Sequence, residues 1–293
     1  MDRSEETTLP STMLVDGNNI VMRSIKALEG RTRLGSEDTN TGPAFVAINM
    51  LSKYVRRYPT DRIAVCWDGG HDERSVIYEG YKSNRGSGQH GPTFDLVKEF
   101  LTLANVFHIE VQGIEADDLI GVYWRKPPHG STFILSGDKD LLQLVSPHGP
   151  VVQVRPTGQD GDEVWDSVRV EEHYGCSPHV LPSVMALMGD TSDGIPGVPG
   201  VGVKTAVKML NEFGLDLPML LEHPPKKVQG HEDEVRRNLK LVDLRDKRYD
   251  LPDIPRFMPT DYGSPLWDDL MRWCSEYEMR SITERLVVGT LWG

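Results

Sequence analysis

The chain is poor in cysteine and has less basic than acidic charge. Only Cys66, Cys176 and Cys274 occur in 293 residues. They are odd in number, far apart and without metal-ligand spacing, which argues against a disulfide scaffold or a cysteine zinc site. Cys66 lies inside the apolar run "IAVCW" and is expected to be a small core residue. No apolar run reaches transmembrane length, so no membrane partner is expected. The opening "MDRSEETTLP" is polar and acidic, unlike a signal peptide. These features fit a reducing cytoplasm. Basic residues number 32 against 44 acidic, a formal net charge of −12, which weighs against nucleic-acid binding. The basic residues are clumped, however, as in Lys53/Arg56/Arg57, Lys204/Lys208 and Arg236/Arg237/Lys240. Local field matters more than the total.

What the chain does have is acid in a pattern. Nine carboxylates stand in five clusters: Asp16; Asp68; Glu115, Asp117 and Asp118; Asp138 and Asp140; Asp190 and Asp193. Asp16 follows "TMLV", Asp68 follows "IAVCW", and Asp138 follows "TFILSG". A carboxylate just past a buried strand points into the crevice where open α/β sheets place their sites. Two carboxylates ~4 Å apart repel by about 4 kcal/mol at an effective dielectric near 20. Several converging there need cations. Oxygen-only ligands favour Mg²⁺ or Mn²⁺ over Zn²⁺, in two or more sites.

Each cluster also has a plainer reading. "DG" after a strand is often only a turn. Acids at the start of "EADDLIGVYWRK" complement a helix dipole, yet three in four positions exceed what capping requires. Asp138 and Asp140 share a side if "SGDKD" is extended, with Lys139 between them solvated. Asp190 and Asp193 fall three apart on a presumed helical turn, where Asp193 could be an N-cap.

Two further segments carry chemistry. "GIPGVPGVGVKTAVKML" has glycines that allow close backbone approach, here Gly197, Gly200 and Gly202, ahead of Lys204, Thr205 and Lys208. Successive N–H groups before a helix cradle an anion. A nucleotide-binding P-loop is rejected, because Val203 separates Gly202 from Lys204 and the segment follows a helix. "YEGYKSNR" offers Tyr81, Lys82 and Arg85, with Arg74 seven residues before Tyr81. Lys82 and Arg85 share a face if the segment is helical and could stabilise charge on a phosphate. Tyr81 could stack on a base, and Arg74 could hold a phosphate.

Strand and helix patterns alternate up to about residue 174 and imply a mostly parallel central sheet flanked by helices. "VVQVRP" with "DEVWDSVRV" reads as an antiparallel edge hairpin. Residues 1–174 form the expected α/β body, with an arch region at about 70–95. Residues 175–293 form a helical subdomain, with a helix–hairpin element at about 185–214. In the tail, Leu266, Leu270, Trp273 and Tyr277 fall on one packing face.

Taken in order, "LVDGNNIVMRS", "WDGGHDERSVIYEGYKSNR", "GIEADDLIG", "ILSGDKDLLQLV" and "MALMGDTSDGIPGVPGVGVKTAVKMLNEFG" resemble the 5′→3′ exonuclease and flap endonuclease family. The resemblance implies a PIN-like α/β nuclease body with a helical arch and a helix–three-turn–helix DNA-binding element, often with a bound K⁺. It implies that Asp16, Asp68, Glu115, Asp117, Asp118 and Asp138 serve a first metal, and Asp138, Asp140, Asp190 and Asp193 a second. Lys82 and Arg85 match the basic pair at the arch base. The expected activity is Mg²⁺-dependent hydrolysis of DNA at 5′ ends and 5′-flap junctions, in replication or repair. The expected partners are flap, nicked or gapped DNA and a polymerase on a separate chain, and the expected state is a monomer in a bacterial or phage-infected cell. "GSGQHGPTFD" is short and glycine-rich for a full arch. A related metal-dependent RNase and a non-catalytic DNA-structure binder are the rival readings.

Overall fold

A computed structural model describes residues 10–30, 40–83, 91–125, 130–146, 151–157, 161–246, 264–289 and 291–292. The first apolar run becomes β1 (Thr12–Asp16), buried at all five positions. A run buried on both faces suits the centre of a parallel sheet. It is joined by β2 (Arg62–Trp67), β3 (His108–Glu110), β4 (Thr132–Leu135), β5 (Val151–Arg155) and β6 (Glu163–Trp165). Their order is β3-β2-β1-β4-β5-β6. Strands β1 to β5 run parallel, and β6 pairs antiparallel at the edge. The chain leaves β1 with β2 on one side and β4 on the other, which opens a crevice at their C-terminal ends.

Helices α1 (Gly17–Ala27), α2 (Gly42–Arg57), α3 (Asp72–Ile77), α4 (Gly91–Leu103) and α5 (Ala116–Trp124) connect the strands. α2 buries Ile48, Leu51 and Val55, the predicted stripe, with Phe45 half-buried. The edge hairpin is real but ends early. At Ser167 the chain enters α6 (Ser167–Tyr174), because the Asp166 carboxylate accepts the Arg169 N–H at 2.8 Å and caps a helix.

Then follow α7 (Leu181–Met188), α8 (Val203–Glu212), α9 (Leu217–Glu222), α10 (Glu232–Val242), α11 (Trp267–Glu276) and α12 (Arg280–Val287). One sheet face is covered by α1, α2 and α4 together with α11 and α12, where Ile20, Leu51, Phe100, Trp273 and Ile282 meet. The other face is covered by α5, whose Leu119 and Ile120 pack on Leu14, Ala64 and Ile134. Leu270 and Trp273 of the tail are buried and Tyr277 is half-buried. Leu266 is exposed, because it precedes α11 instead of lying on its face. Helices α6 to α10 share a separate core around Val184, Leu187, Leu210 and Val235. A small seam of Tyr81, Met185, Ile195, Leu241 and Val242 joins that core to the turn after α3. Among the described residues no helix is long and apolar enough to cross a membrane.

Candidate metal centre and nucleic-acid interface

Asp16 ends β1 and also caps α1: its Oδ1 accepts the Asn19 N–H at 2.9 Å. The local turn reading of "DG" is thus half right. Its Oδ2 accepts from Ser136 Oγ at 2.8 Å, across the gap to the loop after β4. Asp68 follows β2, and its Oδ1 accepts the Ala116 N–H at 2.8 Å at the start of α5. Glu115 occupies the N-cap position of α5 yet makes no capping bond. Its carboxylate instead takes Arg74 Nη1 and Tyr81 Oη, both at 2.6 Å, and the Lys82 ammonium. Helix capping therefore does not account for Glu115. The ligand oxygens of Glu115, Asp117 and Asp118 lie within 4.8 Å of one another.

The loop after β4 departs from expectation. "SGDKD" is not extended, since Asp140 begins a 3₁₀ turn, Asp140–Leu144. Asp138 Oδ1 accepts the Asp140 N–H at 3.0 Å, and this turn draws the two acids into one site. Lys139 is not simply solvated. Its ammonium lies 2.8 Å from Asp190 Oδ2 and ties this loop to the helical region. "GDTSD" is not a helical turn either. Asp190 and Ile195 exchange backbone bonds at 2.8 and 2.7 Å around the tight turn Thr191–Gly194, and Asp193 caps no helix.

Among the described residues only Glu115, Asp117 and Asp118 bring three carboxylate oxygens within 4.8 Å of one another, and charge coupling links that cluster to the other six acids. Burial, then Asp68, then Asp138 push the Asp16 carboxyl up to about 8, against its hydrogen bonds from Asn19 and Ser136. Asp68 is exposed at its rim, yet the basin walls desolvate its carboxyl. With Glu115 and Asp117 they raise it to about 6. Asp138 is raised by burial and by Asp117 and Asp193. Asp140 is raised well above the carboxylate range by burial and by Asp138, Asp190 and Asp193. Asp117 goes the other way: burial is outweighed by Arg74 and Lys82. Asp190 is likewise held low, because Lys139 and Ser192 outweigh burial. Asp140 Oδ1 is buried and has no hydrogen-bond partner among the described residues. A buried carboxylate oxygen without a donor, within an all-oxygen set, fits a hard divalent cation.

The predicted DNA-contact residues divide. Arg74 is buried, 3% exposed, and faces the acids: Nη2 lies 2.7 Å from Asp118 Oδ1, and Nη1 3.2 Å from Asp117 Oδ2. Tyr81 is also buried, and its hydroxyl is held between Arg74 and Glu115. In this state neither residue is open to a phosphate or a base. The turn 78–83 is not helical, and Lys82 has φ 50°. Arg85 lies outside the described residues, with the rest of 84–90 in the predicted arch. Lys82 N donates to Asp193 O at 2.8 Å, which fixes the turn to the helical region.

In the hairpin element, a Cβ on Gly197 would sit 2.0 Å from Met188 O, so only glycine lets the turn lie against the end of α7. Gly200 has φ +72°, and its carbonyl accepts from Lys227. Gly202, Lys204 and Lys208 are exposed and Thr205 is half-buried. Lys204 and Lys208 border a groove of about 540 Å³ with Tyr174 and Asn211.

Sequence reasoning passed over the residues that hold this site. Asn18 Oδ1 accepts the Asp68 N–H and Asn19 Oδ1 the Gly137 N–H, at 3.0 and 2.9 Å. Gln153 Nε2 donates to the carbonyls of Ser136 and Asp138. Buried Asn238 donates to the carbonyls of Ala186 and Pro196, bracing the hairpin turn from α10. The "NN" after Asp16 was the available signal, because polar amides beside a buried strand need partners.

Comparison with known proteins shows the family and the fold. Residues 11–175 match the model of the 5'-3' exonuclease N-terminal resolvase-like domain, and residues 176–254 that of the 5'-3' exonuclease C-terminal SAM fold. DNA polymerase I of Chloroflexus aurantiacus is 34% identical over 229 residues, covering 75% of this chain and 24% of that protein. DNA polymerase I of Mycobacterium tuberculosis is 33% identical over 300 residues, covering 97% and 32%. The chain thus spans about a quarter to a third of these relatives. The bacteriophage T5 D15 flap endonuclease, solved as a pseudo-enzyme-product complex with DNA and metal ions, superposes with a TM-score of 0.66. It is 20% identical over 97% of this chain and all of that one, a likeness of fold. With both matched models lying end to end over the sheet body and the helices that close its acidic basin, this chain belongs to the 5'-3' exonuclease family.

Proposed function

We propose that the protein is a structure-specific 5′ nuclease that hydrolyses DNA phosphodiesters at 5′ ends and 5′-flap junctions. The observation that supports this reading is the run of mutually coupled carboxylates beside the C-terminal ends of β1, β2 and β4, with Glu115, Asp117 and Asp118 clustered among them. Asp16, Asp68, Glu115, Asp117, Asp118 and Asp138 would hold a first divalent ion, and Asp138, Asp140, Asp190 and Asp193 a second. Mg²⁺ or Mn²⁺ bound there supplies the positive charge that an attacking water and a leaving oxygen need.

The chain's own groups do the rest. Asp138 and Asp140, fixed by the 3₁₀ turn, set the spacing of the donors. Lys82, at the mouth of the basin and 11% exposed in its side chain, offers an ammonium to the scissile phosphate. Arg85 has the same role by family pattern. Gly197, Gly200 and Gly202 with Lys204, Thr205 and Lys208 grip the duplex through backbone N–H groups and charge, contacts that carry no base code. A K⁺ ion at this element follows the family pattern alone. Binding then depends on structure and weakens steeply with salt.

The functional division is a nuclease body over 1–174 and a helical DNA-binding subdomain over 175–293 whose C-terminal helices α11 and α12 pack on the body, acting as a monomer in the cytoplasm with a DNA polymerase. The test is a labelled 5′-flap duplex incubated with the protein in Mg²⁺ and in EDTA. Products cut at the junction with Mg²⁺ alone support the reading. Intact flap in both, or equal cutting of an RNA hairpin, refutes it.

A further inference from the structure

The three acids at the start of α5 are engaged by Arg74, and Glu115 also by Lys82. Arg74 lies on α3 and is almost wholly buried. Its guanidinium reaches Glu115 Oε2 at 2.6 Å, Asp118 Oδ1 at 2.7 Å and Asp117 Oδ2 at 3.2 Å. Tyr81 Oη accepts from the same Nη1 at 2.7 Å and keeps the guanidinium in place. The Lys82 ammonium pairs with Glu115 from the mouth of the basin. Among the described residues these three acids bring their oxygens within 4.8 Å of one another, close enough to share a metal ion. A guanidinium cannot shed its proton to make way for an ion, so its charge stays in the wall under all working conditions.

We propose that Arg74, with Lys82, is a resident counter-ion that holds the Glu115–Asp117–Asp118 wall together without metal and weakens that wall's affinity for divalent cations. Arg74 is a positioning residue acting through the three carboxylates. The inference rests on the reading of the basin as a divalent-cation site. Its physical basis is simple. Three carboxylates this close repel one another unless offset, and a fixed guanidinium offsets them continuously. A divalent ion entering the wall is repelled by that guanidinium and must share its oxygens. The wall is thereby preorganised, and ions are held loosely enough to exchange.

The test titrates Mn²⁺ into the metal-free full chain without DNA and follows free Mn²⁺ by electron paramagnetic resonance. Arg74→Met is expected to bind Mn²⁺ at least tenfold tighter than the parent, while melting at a lower temperature in EDTA. Arg74→Lys, which keeps the charge, is expected to stay within threefold of the parent. Lys82→Met removes the second cation from a partly open position and is expected to tighten binding by a smaller factor. Unchanged or weaker Mn²⁺ binding by a folded Arg74→Met overturns the proposal, as does equal tightening in Arg74→Lys. If Arg74→Met does not fold in EDTA, Lys82→Met decides, and an unchanged or weaker affinity there overturns the proposal. A parent chain that binds no Mn²⁺ overturns the cation-site reading along with it. A parent that binds Mn²⁺ with no tightening in the variants overturns only this inference.

Discussion

The two halves of the acidic basin solve the same problem differently. Glu115, Asp117 and Asp118 crowd at the start of α5 around Arg74 and Lys82, and Asp117 is held below the usual carboxylate range. Asp16, Asp68, Asp138 and Asp140 lie at strand ends and have no ion-pair partner within the described residues. Burial and mutual repulsion raise all four. One half carries its own cations, and the other waits for them. Crowded acid is therefore a poor guide to where an external ion binds most tightly, and the half with raised carboxyls has more to gain from one.

The sharpest way to break this comparison is at the cation-poor half. Asp138→Ala is expected to slow cleavage by on the order of 10³-fold or more while DNA still binds in Ca²⁺. Single-turnover cleavage beside a binding titration checks it, and unchanged turnover would remove Asp138 from the site. At the cation-bearing half, Lys82→Ala is expected to slow the chemical step roughly 100-fold with a much smaller change in DNA affinity. A single-turnover rate equal to the parent's would make Lys82 a bystander.

The halves should also separate by pH. A carboxyl whose folded value is raised costs stability once it ionises. For Asp16 and Asp68 that loss is absent below about pH 4 and complete only above the folded values of about 8 and about 6. Metal-free protein should therefore lose stability across that window, and Mg²⁺ should restore it. The rise in melting temperature on adding Mg²⁺ is expected to be larger at pH 8.5 than at pH 6, by roughly 5 °C. An equal rise at both would show that these carboxyls do not face the ion. The smallest effect lies outside the basin. A Cβ at Gly202 would meet no atom of the described residues within 4 Å, and its φ of −108° suits any residue. Gly202→Ala should leave the melting temperature and its Mg²⁺ response unchanged while weakening duplex binding about threefold, on the order of 0.6 kcal/mol. A change in melting temperature with intact binding would show that Gly202 serves the fold and not the DNA.

Much of this was legible beforehand because it is local. An apolar run of four or five residues buries on both faces, and the acid that ends or follows it comes out at the sheet edge, as Asp16 and Asp68 do. Helical stripes such as Ile48, Leu51 and Val55 follow from 3.6-residue periodicity. Less legible were features set by a partner distant in sequence. Lys139 looked solvated because Asp190, 51 residues later, was not yet beside it. Arg74 and Tyr81 looked like surface groups because the acids that enclose them come 34 to 44 residues further on. "GDTSD" looked helical because the backbone exchange between Asp190 and Ile195 leaves no mark on composition.

The sequence by itself determined which residues could become strands, which ends would carry acid, and that oxygen donors would outnumber every other metal ligand. Those outcomes depend on periodicity and chemistry within a few residues. Only the tertiary structure decided which acids meet a protein cation, and how the amides of Asn18, Asn19, Gln153 and Asn238 hold the site together. The reason is physical: a buried charge or amide is stabilised only by a partner brought to it through folding, and that partner's place in the chain is not encoded beside it.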